Sequence, residues 1–288
     1  MPRGLQRVRA RADARAHLYD PKFVTPSDRA EIVAWLQSIF PLWEQRYSAH
    51  HPPPKGQPQR ALLRPVYWLG NWQFACLDYY RPPKGIWNRC VKAEPFPPVL
   101  ARLVAEIERR ARTRFRGEDL PDGWHLNTCL VNLYGSRVEG EKRIDTARVG
   151  EHKDFEPGPV ASVSLGERAL FQFVSSKRPG ERDAVALQQW LDDGSLQVFG
   201  GARFKDQLFH RVQRVDHRTG SVFALNVADF ETRRVNFTFR YVPDAHVIPY
   251  AKLPADDAED VRGYMEQLAK HSAFFARELA ARTESAKP

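Results

Sequence analysis

Short segments in which apolar and polar residues alternate dominate the chain between residues 124 and 242. Separated by clusters of Gly, Pro and Asp, they read HLNTCLVNLY, ASVSLG, ALFQFVS, AVALQQWL, SLQVFGG, SVFALNVA and RRVNFTFRYV. Alternation with a period of two is the pattern of a strand with one buried face. Many short strands at regular spacing are typical of an all-β sandwich or barrel, so the pattern predicts a mainly β core here.

Segments with helical periodicity lie on both sides of this core. TPSDRAEIVAWLQSIF begins with capping residues, FPPVLARLVAEIERRARTRF begins with two prolines, and DDAEDVRGYMEQLAKHSAFFARELAAR is acidic at its start and basic at its end. Each of these segments therefore predicts one helix. The Pro-rich stretch HHPPPKGQPQR, which follows the first of them, predicts a loop.

Composition narrows the class of protein. The 288 residues are 42% hydrophobic and 27% charged, as in ordinary globular proteins, and they contain no apolar run long enough to cross a membrane. The Arg-rich N-terminus lacks the apolar stretch of a secretory signal. The three cysteines form no C-x-x-C pair, which favours reduced thiols and a cytoplasmic location. We also expect the protein to be a monomer.

The charge of the chain bears on its partners. A net charge of +9 and an isoelectric point near 9.6 favour a polyanionic partner, and nucleic acid is the first choice. The alternative is that the protein is basic without a specific purpose. Charge alone does not decide between the two.

The stretch VGEHKDFEPGPVASVSLG carries the candidate chemistry. If it is extended, His152, Asp154 and Glu156 lie on one face of the strand. One His and one carboxylate can bind a metal ion, and a second His completes the 2-His-1-carboxylate site of non-haem Fe(II) oxygenases. His210, after a Gly-Gly turn, is either that ligand or a core histidine. H-x-D alone is a weak signal, because an exposed, charged strand end has the same pattern.

Other strands carry side chains suited to an anionic ligand. In RRVNFTFRYV, Arg234, Asn236 and Arg240 share one strand face. Arginine is the side chain best suited to bind a carboxylate through two hydrogen bonds. In CLVNLY, Asn132 and Tyr134 alternate on one face and can donate to a carboxylate. A solvated strand face is the alternative for the two arginines.

Taken in chain order, these motifs resemble the AlkB family of Fe(II)/2-oxoglutarate-dependent dioxygenases. The order is N-x-Y, then H-x-D, then PVASVSLG with ALFQF, then a His after a Gly-Gly turn, then R-x-N-x-T-x-R. The match covers residues 124–242, and WLGNWQFACLDYYRPP followed by PFPPVLARLV resembles the nucleotide-recognition lid of the family more loosely. Several motifs in the right order are far more specific than any one of them.

The resemblance implies a fold, cofactors and a role for each motif residue. The fold would be a double-stranded β-helix, or jelly roll, within an α+β chain. The cofactors would be Fe(II), with 2-oxoglutarate and O2 as cosubstrates. The residues implied to bind iron are His152, Asp154 and His210. The residues implied to bind 2-oxoglutarate are Asn132, Tyr134, Arg234, Asn236 and Arg240. The residues implied to contact the damaged base are Glu156 and, in the lid, Trp72, Tyr79 and Tyr80.

We expect four parts along the chain. They are a basic tail, helix and Pro-rich loop (1–60), the nucleotide-recognition lid with its supporting helix (61–123), the oxygenase core (124–245) and a C-terminal helical extension (246–288). The charged insert GSRVEGEKRIDTA lengthens the gap between Tyr134 and His152, and we expect it to be a loop near the site.

The function implied by the resemblance is oxidative demethylation of N-alkylated nucleobases, such as 1-methyladenine and 3-methylcytosine, with release of formaldehyde. The substrate would be DNA, or RNA as well. Because the base must leave the stack to reach the iron, the expected partner is single-stranded or flipped-base nucleic acid. Two alternatives remain, namely the same chemistry on tRNA or protein, and a nucleic-acid-binding module without activity.

Overall fold

Strands outnumber helices in the described part of the chain. The computed structural model describes residues 15–47, 52–58, 61–75, 90–146, 148–175, 184–213 and 221–285. The α-helices are α1 (Pro26–Leu36), α2 (Pro98–Arg114), α3 (Ala255–Ala269) and α4 (Ala273–Ser285). The strands are β1 (His17–Asp20), β2 (Val66–Leu69), β3 (Asn71–Trp72), β4 (Cys90–Lys92), β5 (Thr128–Glu139), β6 (Lys142–Asp145), β7 (Val149–His152), β8 (Val160–Gly166), β9 (Ala169–Val174), β10 (Val185–Leu191), β11 (Ser195–Phe199), β12 (Phe209–Gln213), β13 (Phe230–Arg240) and β14 (Val247–Ile248). None of the described helices is long and apolar enough to span a bilayer.

Two antiparallel sheets form the centre of the fold. The large sheet has the strand order β1-β11-β8-β13-β5-β2, with β6 paired to β5, and the small sheet has the order β10-β9-β12-β7. Side chains from both sheets line one cavity, so the sheets face each other across it. A third, short sheet has the order β14-β4-β3. The predicted fold, a mainly β jelly-roll core with flanking helices, is confirmed.

Strand β13 shows how the sequence pattern positions the cavity. Val235, Phe237 and Phe239 are fully buried and belong to the main hydrophobic core, to which α1 and α2 also contribute. Arg234 and Arg240 alternate with them and line the cavity on the opposite face of the strand. One face of β13 therefore stabilises the fold, and the other supplies polar side chains to the cavity.

The first two predicted helices are confirmed as α1 and α2. Helix α2 has a proline at its first position, where the missing N–H is not needed, and a proline precedes it. Its predicted apolar stripe is buried and consists of Leu100, Leu103, Val104 and Ile107. Burial of such a side chain contributes about 1.5–3 kcal/mol, so this stripe holds α2 against the large sheet.

The C-terminal segment forms two helices, so the prediction of a single helix is wrong. Helix α3 ends at Ala269 and α4 begins at Ala273. Between them, the Ser272 backbone N–H donates to the Leu268 carbonyl, while the Ser272 hydroxyl accepts from the backbone N–H of Phe275. Ser272 thus closes one helix and caps the next, a change that apolar periodicity does not reveal.

Two strand predictions are wrong in extent. The segment SVFALNVA forms no strand, and only Phe223 makes an isolated bridge, to Thr232. Strand β7 ends at His152, so Asp154 and Glu156 lie in the loop that follows rather than on an extended strand. From this loop, both acids contact Arg240 of the large sheet.

The charged insert is a β-hairpin, so the prediction of a loop is wrong. Strand β5 continues to Glu139 and β6 pairs with it, and Gly140 adopts a φ of +60° at the turn. Glycine adopts this left-handed conformation at little cost. The Arg143 guanidinium donates to Glu231 Oε1 at 2.9 Å, which fixes the hairpin to β13 at the edge of the large sheet.

Candidate metal and cosubstrate site

A cavity of about 490 Å³ lies between the two sheets. Strands β5, β8 and β13 of the large sheet contribute to its wall, as do β7, β9 and β12 of the small sheet. The structure brings together at this cavity all the residues predicted to bind iron or 2-oxoglutarate. They are His152, Asp154, His210, Asn132, Tyr134, Arg234, Asn236 and Arg240.

His152, Asp154 and His210 form a compact group of potential metal ligands. His152 and His210 are direct cross-strand neighbours on β7 and β12. Their ligand atoms and those of Asp154 all lie within 4.8 Å of one another. Metal–ligand bonds of about 2.0–2.3 Å place the ligands of one ion at about this spacing. His210 Nε2 faces Asp154 Oδ2 at 3.4 Å, and an ion bound to both atoms would satisfy both.

Both histidines are suited to be neutral ligands. His152 Nδ1 donates to the Gly150 carbonyl at 2.8 Å, which fixes the proton on Nδ1 and leaves Nε2 as the ligand atom. Burial lowers the pKa of His152 below its usual value. Burial, and then the neighbouring His152, hold the pKa of His210 well below its usual value. Neutral imidazole is the form that binds metal.

Asp154 is held as a carboxylate. Its Oδ1 accepts from Arg240 Nε at 2.9 Å and lies 2.8 Å from Arg240 Nη2. Burial alone would raise the pKa of Asp154, but the charge of Arg240 and its other neighbours outweigh burial and hold the pKa well below its usual range. Arg240 thus sits beside the metal ligand rather than only beside a cosubstrate.

Arg234 lies toward the opposite end of β13. Its guanidinium lies 4.8 Å from the centre of the Tyr134 ring, and its Nη2 donates to the Ser164 hydroxyl at 3.0 Å. Arg234 Nε is buried without a hydrogen-bond partner among the described residues. The donors of Arg234 are therefore only partly used, as expected of a group that binds an anion.

Asn236 has an internal role that the sequence did not indicate. Its amide nitrogen donates to the Ser162 hydroxyl at 2.7 Å and to the Val163 carbonyl at 3.1 Å. Its amide oxygen accepts from the Thr238 hydroxyl at 2.9 Å. Asn236 lines the cavity, but its hydrogen bonds join β13 to β8 and orient the serine hydroxyls of that strand.

Glu156 lies in the cavity wall next to the metal-ligand group. Only 4% of its surface is exposed. Its Oε1 accepts from Gln73 Nε2 at 2.7 Å and lies 3.4 Å from Arg240 Nε. Its Oε2 is buried without a partner among the described residues.

Sequence reasoning missed three residues at this site, namely Arg64, Gln73 and Lys205. Arg64 and Gln73 line the cavity from either side of β2 and β3, outside every motif considered. Lys205 is buried near Asp154 and Glu156, and burial lowers the pKa of its ammonium group despite their charges. For Arg64, the sequence offered one signal. Arg64 is two residues before Val66, so the two side chains lie on the same face if the strand extends that far.

Trp72, the one predicted lid residue that the structure describes, is not among the residues that line the cavity. Trp72 is 1% exposed, stacks on Phe74 with ring centres 3.5 Å apart, and donates its indole N–H to Glu44 at 2.5 Å. Trp72 therefore packs in the main core and not where the predicted contact with a base would place it. The buried Glu44 accepts the hydrogen bond from the polar edge of its ring. Tyr79 and Tyr80 lie outside the described residues.

Comparison with known proteins decides the family. The sequence profile described as the 2OG-Fe(II) oxygenase superfamily matches residues 17–240, which span the whole cavity. The chain belongs to the 2OG-Fe(II) oxygenase superfamily. No curated protein sequence matches the chain.

Solved structures resemble the chain at low identity. The structure of OsALKBH1 is 20% identical, with a TM-score of 0.48, over 78% of this chain and 98% of its own. An oxidoreductase of the 2OG-Fe(II) oxygenase family from Burkholderia pseudomallei is 15% identical, with a TM-score of 0.41, over 80% of this chain and 89% of its own. YcfD, a ribosomal oxygenase from Escherichia coli in complex with cobalt and succinic acid, is 12% identical, with a TM-score of 0.29, over 91% of this chain and 65% of its own.

The residues of the cavity fit the cofactors of this superfamily, which are Fe(II), 2-oxoglutarate and O2. Two neutral histidines and one carboxylate form the ligand set of a non-haem Fe(II) oxygenase and leave coordination positions open. The buried Arg234 with its unused Nε fits an anionic cosubstrate. The oxygenase superfamily and its cofactors, both implied by the sequence motifs, are confirmed.

Substitution of a metal ligand should strongly weaken metal binding while leaving the fold intact. We expect His210→Ala to bind Co(II) at least 100-fold more weakly than the wild type in isothermal titration calorimetry, because one of three protein ligands is lost. Glu156→Gln serves as the matched control, because it removes a neighbouring carboxylate outside the ligand group. Unchanged Co(II) affinity in His210→Ala, with a native circular dichroism spectrum, would contradict the assignment of the ligands.

Proposed function

We propose that the protein is an AlkB-type dioxygenase that demethylates N-alkylated bases in nucleic acid, such as 1-methyladenine and 3-methylcytosine. The observation that carries this proposal is Glu156, a buried carboxylate in the wall of the metal cavity with one oxygen left for a ligand. The order of the sequence motifs supports the same family.

The unused oxygen of Glu156 indicates the chemistry of the substrate. A buried acceptor without a partner costs about 1–3 kcal/mol, so a ligand that brings an N–H group to it would be stabilised. The exocyclic amine of adenine or cytosine is such a group. Alkylation at N1 of adenine or N3 of cytosine also makes the base cationic, which suits a carboxylate that is fixed in place by Gln73.

The charge of the cavity supports a polyanionic substrate. Among the described residues, six basic side chains line it, against three carboxylates. Arg240 is already paired with Asp154, and Glu151 is paired with Arg211 outside the lining. Among the remaining basic residues, Arg148 is exposed, where it can meet a phosphate group of a bound strand.

The chain's own residues have distinct tasks in this reaction. Fe(II) with 2-oxoglutarate and O2 supplies the oxidising power that turns an N-methyl into an N-hydroxymethyl group, which breaks down to formaldehyde and the restored base. His152, Asp154 and His210 would hold the metal, and Arg234 would bind the distal carboxylate of 2-oxoglutarate. Glu156 would orient the base so that its methyl group points toward the metal.

The proposal predicts formaldehyde release from methylated oligonucleotides. We expect the Fe(II)-loaded enzyme to release formaldehyde from single-stranded DNA containing 1-methyladenine or 3-methylcytosine, and His152→Ala to release none. Succinate formation from 2-oxoglutarate with methylated tRNA, a methylated peptide and an etheno-adduct oligonucleotide, whose two-carbon bridge would not leave as formaldehyde, defines the substrate range. Turnover of only the peptide would contradict the proposal, as would a lack of 2-oxoglutarate decarboxylation with every one of these substrates.

Glu156→Gln should change base preference. Gln73 would then donate to the new amide oxygen, which leaves the amide NH2 of residue 156 facing the base. We expect kcat/KM for 3-methylcytosine to fall about 10- to 100-fold, the effect of losing one charge-assisted hydrogen bond.

The substrate for comparison with 3-methylcytosine is 3-methylthymine, which has a carbonyl where cytosine has its amine. Its kcat/KM should fall less in Glu156→Gln or even rise, because the new NH2 can donate to that carbonyl. An equal loss on both bases would show that Glu156 does not contact the exocyclic group.

A further inference from the structure

Three residues lie in one row across the large sheet at one end of the cavity. Strand β13 pairs with β5 so that Arg234 is opposite Tyr134, and β5 pairs with β2 so that Asn132 is opposite Val66. Arg64 is two residues before Val66, which extends the same register to Tyr134. The row therefore reads Arg64, Tyr134, Arg234, and all three residues line the cavity.

The two arginines of this row contact the same ring. The Arg64 guanidinium lies 5.3 Å from the centre of the Tyr134 ring, and that of Arg234 lies 4.8 Å from it. Among the described residues, neither guanidinium forms an ion pair with a carboxylate. Burial lowers the pKa of Arg234, and the charge of Arg64 adds to that effect. Arg234 is buried and Arg64 is partly buried. Two neighbouring cations that are partly shielded from water are stabilised by an anion bound to both.

Arg64 also fixes a second cavity residue. Its Nε donates to Asn132 Oδ1 at 2.6 Å. Because guanidinium is only a donor, the Asn132 oxygen must face it, and the Asn132 NH2 group faces away from Arg64. Only one of the five N–H groups of the guanidinium is used in this contact, so the others remain for a ligand.

We propose that Arg64 is a second binding residue for the distal carboxylate of 2-oxoglutarate, opposite Arg234. The inference rests on the membership of the oxygenase superfamily and on the proposed role of Arg234, and it does not depend on the identity of the substrate. It assigns the row Arg64–Tyr134–Arg234 to the cosubstrate, because both guanidinium groups lie close to the Tyr134 ring.

A substrate phosphate is the other anion that Arg64 can meet. The position of Arg64 favours the cosubstrate, because it is tied to Asn132 on the cavity wall and lies level with Arg234. Arg148, by contrast, is exposed and separate from this row. The two anions are distinguished by measuring the affinity for each one separately.

The test compares two keto acids of equal chain length that differ in the distal carboxylate. Binding of 2-oxoglutarate and of 2-oxopentanoate to the Mn(II)-loaded full chain is measured by isothermal titration calorimetry, so that no turnover is required. In Arg64→Gln we expect about a 10- to 100-fold weaker affinity for 2-oxoglutarate, the effect of one charge-assisted contact, and an unchanged affinity for 2-oxopentanoate. Arg262→Gln, an exposed arginine on α3, is the matched control and should not change either affinity.

Several outcomes would overturn the inference. Affinity for 2-oxoglutarate within two-fold of the wild type would show that Arg64 does not bind it. An equal loss for both keto acids would show that Arg64 acts only by orienting Asn132. Weaker binding of a single-stranded oligonucleotide with unchanged 2-oxoglutarate affinity would assign Arg64 to the substrate phosphate.

A conservative variant keeps the inference testable if Arg64→Gln does not fold. Arg64→Lys retains the charge but loses the planar fork of donors, and it should bind 2-oxoglutarate several-fold more weakly with 2-oxopentanoate unaffected. If the wild-type enzyme has no activity on methylated nucleobases, the proposed substrate is refuted while these affinities are unaffected. Failures of the two proposals can therefore be told apart.

Discussion

The ion pair between Arg240 and Asp154 is the interaction on which the site depends. Asp154 is 6% exposed, and its burial alone would favour the protonated acid. Arg240 lies at the end of β13, so its position is fixed by the core that packs on the other face of that strand. Breaking a buried pair by removing one partner typically costs about 3–5 kcal/mol, because the remaining charge is left uncompensated. The same guanidinium lies 3.4 Å from Glu156, so one side chain orients both a metal ligand and the proposed base contact.

The register of the large sheet orders the rest of the cavity around this pair. Arg240 at the end of β13 is close to the metal ligands, and Arg234, earlier on the same strand, is level with Tyr134 and Arg64. Between them, Asn236 uses its amide to join β13 to β8. The distance between a metal position and a carboxylate position is thus set by strand geometry rather than by flexible loops.

Much of this arrangement was predictable because it follows from the alternation of residues on β13. Phe237 and Phe239 indicate a buried face of the strand. Because side chains alternate, Arg234 and Arg240 share the other face. The metal ligands were predictable from their motif, although His152 and Asp154 do not share a strand face as the alternation predicted. Asp154 reaches the site from a loop beyond β7, and it is the contact with Arg240 that directs it there.

The remaining features depend on contacts that no local pattern reports. Strand β1 has no alternation of its own and forms because it pairs with β11 at the edge of the large sheet. Trp72 lies in an aromatic-rich segment that suits base stacking, yet the buried carboxylate of Glu44 accepts its indole N–H and keeps it in the core. The pairing of β2 with β5 is what brings Arg64 level with Tyr134, and the spacing of Arg64 from Val66 alone does not reveal that partner.

The most direct test of the account is a crystal structure of the chain with Mn(II) and 2-oxoglutarate, in which anomalous diffraction locates the metal. The account predicts an anomalous peak bound by His152 Nε2, His210 and the Asp154 carboxylate, with the distal carboxylate of 2-oxoglutarate at Arg234 and Arg64. A metal bound elsewhere in the cavity, or a 2-oxoglutarate molecule whose distal carboxylate lies away from Arg234, would contradict it.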